Sequence, residues 1–101
     1  MGLLVVDPTF WADIGMTIAG VVISFRPNYT PVEISKQIDG TYKISGRYHI
    51  WGYQDAYNNG SNPIIKQKEY MIVVTEEDLN ENIFSKLYDS LKVIYPSALD
   101  C

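Results

Sequence analysis

Cysteine is almost missing from this chain: Cys101 is the only one in 101 residues. No internal disulfide can form, and no neighbouring cation marks the thiol as reactive, which suits a reducing interior or an assembly that needs no disulfides. Histidine is equally scarce, with His49 alone. One His and one Cys do not make up the usual zinc ligand set. Glycine-rich phosphate loops are absent too, because Gly40, Gly46, Gly52 and Gly60 are spaced as turns and strand kinks. Ser45 and His49 lie about 13 Å apart along an extended strand, too far for a nucleophile and its base. Acid pairs such as Glu76-Glu77 are better explained as helix-end charges than as acid–base groups. These absences predict a non-enzyme with no catalytic residue, cofactor or metal.

Long apolar runs and a basic start are also lacking. Residues 1–25 are apolar in places but carry Asp7, Pro8 and Asp13 and no positive residue, unlike a signal peptide or membrane span. Position 6 holds Val6 where a myristoylation motif has Ser or Thr. The chain therefore reads as soluble, without a membrane partner. Its net charge of −4 argues against nucleic acid as a partner. The distribution is uneven: six of the eight cations lie from Arg26 to Lys68, and half of the twelve acids from Glu76 onward. This predicts a basic sheet beside an acidic helix.

What is present is an ordinary apolar share of 47%, enough for one core in one domain spanning 1–101. Tyrosine, with eight residues against three Phe, either fills strands or forms a contact surface. The clearest stretch is Ile64 to Lys92. Alternation over 64–74 predicts a strand that ends apolar on both faces, its last half covered on two sides. Thr75 followed by Glu76, Glu77 and Asp78 predicts a helix cap and an acidic first turn. Leu79, Ile83, Phe84, Leu87, Tyr88, Leu91 and Ile94 share one half of the wheel, and Pro96 marks the stop. The expectation is α+β: an antiparallel sheet of four to five strands packed by one long C-terminal helix, with a short N-terminal helix over Thr9 to Ile14 opened by Asp7-Pro8. Leu3 to Val6 pairs either within this sheet or with a neighbouring subunit. Met16 to Phe25 predicts a doubly covered strand, and Arg26 to Pro31 a loop.

Register follows from the turn at Ile38-Asp39-Gly40. A three-residue loop with Gly40 left-handed pairs Ile34 with Ile44 and Val32 with Gly46, which keeps one face apolar; a one-residue slip would reverse every side chain. Tyr42, Ile44, Tyr48 and Ile50 then point inward. Outward stand Lys43, Ser45, Arg47, His49, Trp51 and Tyr53, a row mixing cations and rings as a binding surface would. Such interleaving also occurs in single-strand nucleic-acid binders, against the overall acidity. Gln54 to Pro63 predicts a protruding polar hairpin tip. The expected partner-contact residues are Arg47, His49, Trp51, Tyr53, Tyr57 and Asn59, with Trp51 and Tyr53 as anchors.

YKISGRYHIWGYQDAY, the NNGSNP tip and ENIFSKLYDSLKVIYPSALDC, over roughly residues 16–101, resemble small virion proteins of tailed bacteriophages: tail, baseplate and head–tail joining components. The resemblance brings no invariant site residue. It implies a structural or assembly role in the virion, or in host cytoplasm during assembly, through contacts with copies of the chain or other virion proteins, as a homo-oligomer. The alternative is a small acidic inhibitor from a phage or mobile element that covers a host protein through Glu76, Glu77, Asp78 and Glu81.

Overall fold

The computed structural model describes residues 2–25 and 32–101; the expected loop from Arg26 to Pro31 lies outside them. Among the described residues the chain forms eight strands, two α-helices and a 3-10 turn. The longest strands are β6 (Tyr42–Trp51) and β7 (Ile65–Val74), paired antiparallel. On its other side β6 carries β5 (Glu33–Lys36) along its first half and β4 (Val21–Ser24) along its second. The sheet continues through β1 (Leu3–Val5) to β8 (Leu99–Asp100). Strands β2 (Thr9–Trp11) and β3 (Met16–Ile18) make a separate hairpin.

The register expectation holds: Ile34 faces Ile44, with Gly40 at φ +89° in the loop. One face of the sheet therefore collects Leu3, Val5, Val21, Ile23, Ile44, Tyr48 and Ile50, all buried. Against it packs α2 (Ile83–Ile94), which buries Leu87, Tyr88 and Leu91. Phe25 sits at the centre, edge-on to Tyr48 at 5.5 Å and to Tyr88 at 5.2 Å. The Phe25 backbone N–H donates to the Tyr88 hydroxyl at 2.8 Å. These tyrosines thus fill the core.

The α+β architecture expected from sequence is corrected to a more sheet-rich one. A six-stranded sheet and a separate hairpin replace the four or five strands, and among the described residues no helix is longer than the twelve residues of α2. The helix starts at Ile83 and has twelve residues. Thr75 does not cap it: its N–H and hydroxyl both donate to Asp78 Oδ2, and Glu77–Asn80 form a 3-10 turn. Glu81 is extended, and Asn82 caps the helix by accepting from the N–H groups of Phe84 and Ser85. The break sets Asn80 in solvent. No N-terminal helix forms either. Thr9-Phe10-Trp11 and Thr17-Ile18 are aromatic and β-branched, and pairing β2 with β3 satisfies their backbone across a turn closed by Gly15 at φ +65°. The strand expected over 16–25 breaks at Gly20, φ +76°. β1 pairs inside its own sheet with β4 and β8.

Candidate interaction surface

Alternation along β6 gives the sheet a second face carrying Lys43, Ser45, Arg47, His49 and Trp51. Its end near β4 is covered. The expected hairpin tip does not protrude; it folds back as α1 (Gln54–Asn58), which buries Ala56 over Val22 and Trp51. Tyr57 lies edge-on to Trp51 at 5.1 Å, and the Trp51 indole N–H donates to the Ser61 carbonyl at 2.7 Å. Ser61 N–H in turn donates to the Ala56 carbonyl at 2.9 Å.

The six expected contact residues are therefore split. Trp51 is 1% exposed and His49 5%; with half-buried Tyr57 they form an internal aromatic group, His49 and Trp51 being 6.0 Å apart. Neither His49 nor Trp51 is a surface anchor, and the row is not a continuous stacking platform. The physical reason is that parity specifies a face, while the α1 segment decides what lies on it. Arg47, Tyr53 and Asn59 are exposed, but the covered rings separate Arg47 from the other two.

The open part of the face lies across β5, β6 and β7. Arg47 stands directly opposite Glu69, and Ser45 opposite both Glu33 and Met71. The Ser45 hydroxyl donates to Glu69 Oε1 at 3.3 Å. Beyond these charges Met71 and Val73 remain 49% and 66% exposed. Sequence reading placed them under a cover because β7 ends apolar on both faces; alternation alone could not tell a covered second face from an open one. The other edge of β7 bonds to no strand among the described residues.

At the boundary between the covered and open parts β7 bulges. Tyr48 pairs with Lys68 and Ile50 with Ile65, so Lys66 and Gln67 together oppose His49. Gln67 holds φ +53°, the only non-glycine residue with positive φ among the described residues. Beside it opens a cleft of about 220 Å³ between the bulge and the 60–63 loop.

The acidic cluster is partly neutralised. Lys86 pairs with both Asp78 and Glu81. The Thr75 N–H, then Lys86, hold the Asp78 carboxyl below its ordinary value, and Glu81 and Asp78 raise the Lys86 ammonium. Only Glu76 and Glu77 of the four acids are left without such a partner, a weak basis for an inhibitor surface. Among the described residues no group of three or more His, Cys, Asp or Glu is placed to hold a metal, and no helix is long and apolar enough to cross a membrane. Compared with family models, curated proteins and solved structures, the chain matches none.

Proposed function

We propose that this chain is a non-enzymatic assembly protein that pairs with copies of itself through β7, in the setting its sequence resemblance implies, a tailed-phage particle or its assembly line. The observation that carries the contact role is the state of that strand. The other sheet edges are blunt: β5 has four residues including Glu33 and Lys36, and β8 has two. β7 has ten. Its first half is guarded by Lys66, Lys68 and the bulge at Gln67, whereas Glu69 to Val74 carries no proline, lysine or bulge and shows Met71 and Val73 beside the free edge.

The charge order along this strand suits a second copy. Lys66 and Lys68 stand near its start, and Glu76 and Glu77 follow its end. Antiparallel pairing about a two-fold axis near Met71 brings the basic start of one copy beside the acidic end of the other, an isologous contact. Four half-exposed apolar side chains contribute only ~4 kcal/mol before association costs. A single pair is therefore weak, and the two-fold contact closes as a dimer that forms only at high local concentration.

Sedimentation velocity across a wide concentration range tests this. The wild type should self-associate, and Val73→Lys should stay monomeric with an unchanged fold by circular dichroism. A wild type that stays monomeric at millimolar concentration, or a Val73→Lys chain that associates equally well, refutes the proposal.

A further inference from the structure

The bulge cleft has a chemistry of its own, independent of self-pairing. It is lined by His49, Ser61, Asn62, Pro63, Lys66 and Gln67, and no carboxylate lines it. In a chain of net charge −4, this is a spot whose only formal charge is positive. The walls are also held in place. Trp51 fixes the Ser61 carbonyl from beneath, and Ile64 N–H donates to the Ile50 carbonyl at 2.8 Å where the loop re-enters the sheet.

The two-against-one bulge places Lys66 and Gln67 together across from His49. A left-handed non-glycine residue is strained, and bulges concentrate beside functional sites. At about 220 Å³ the space is below the range of drug-sized ligand pockets. The Lys66 ammonium and the Asn62 and Gln67 NH₂ groups suit an acceptor with several oxygens. We infer that this cleft binds a small oxyanion, a phosphate or carboxylate group, held by Lys66, Asn62 and Gln67, with the His49 ring in the cleft wall.

His49 is the only histidine, so its ring protons form an isolated NMR reporter inside the site. Inorganic phosphate and, separately, acetate are titrated into the full chain at constant pH, with chloride balancing ionic strength. A Val73→Lys background excludes any effect of self-association. The expected result is a saturable His49 shift for at least one anion, with half-saturation near ~1 mM, the scale of a few charge-assisted bonds. Lys66→Gln and Asn62→Asp, both at the surface, should each weaken it ~10-fold, about 1.4 kcal/mol. Saturation by phosphate alone assigns a phosphoryl ligand, by acetate alone a carboxylate, and by both the oxyanion class. No saturable shift with either anion, or a curve unchanged from that of the parent chain in both variants, overturns the inference.

Discussion

Replacing Trp51 by Ala tests whether this ring anchors a partner or clamps the chain to itself. The side chain is 1% exposed, packs with Val22, Ala56, Leu4 and Tyr57, and donates its indole N–H to Ser61. Truncating a buried Trp to Ala costs ~3–5 kcal/mol through lost burial and the cavity left behind. A chain this size has ~5–15 kcal/mol of stability in total. The melting temperature should therefore fall by ~12–40 °C, since each kcal/mol shifts it by ~4–8 °C in a domain of this length. Trp51→Phe keeps most of the ring but removes the donor, and should cost ~1–2 kcal/mol. Tyr53→Ala, two positions on and 62% exposed, should stay within ~0.5 kcal/mol. Urea unfolding followed by circular dichroism reads all three. Val73→Lys should give the opposite pattern, with monomer stability kept and association lost. A Trp51→Ala chain with an unchanged urea midpoint that no longer self-associates would refute the reasoning, because Trp51 would then be spending its surface on a partner.

Two further outcomes follow from local chemistry. Asn82→Ala should cost ~1 kcal/mol in urea unfolding, because its side chain accepts from two N–H groups at the start of α2; Thr75→Ala, which removes no helix cap, should cost less than half of that. Burial raises the Tyr48 phenol above its ordinary value of 10.0, so the unfolded chain ionises first as pH rises. The stability held below pH 10 is then lost above it, at ~1.4 kcal/mol per pH unit for this group. Tyr48→Phe should flatten the alkaline limb by that slope in urea midpoints measured from pH 9 to 12, and an unchanged limb would refute the assignment.

Local rules made part of the molecule legible. The Ile34–Ile44 pairing followed from where Gly40 could take a left-handed turn and from the need to keep one face apolar, both properties of adjacent residues. The inward set Ile44, Tyr48 and Ile50 followed from strand parity, and the apolar stripe of Leu87, Tyr88 and Leu91 from helix geometry. The helix start was not legible, because Thr75 and Asn82 are both competent caps and Asp78 occupied the first. Phe10, Trp11 and Ile14 fit a helical spacing, yet the pairing of Thr9 with Ile18 and Trp11 with Met16 prevailed.

Of the candidate surface, sequence specified that Lys43, Ser45, Arg47, His49 and Trp51 share a face, since successive strand residues alternate sides regardless of what surrounds them. Only the tertiary structure decided which of them meet water. The return of α1 over Val22 interred Trp51, while Met71 and Val73 stay about half exposed or more. Orientation is set within a strand by its backbone; burial is set by a distant segment that happens to lie across it.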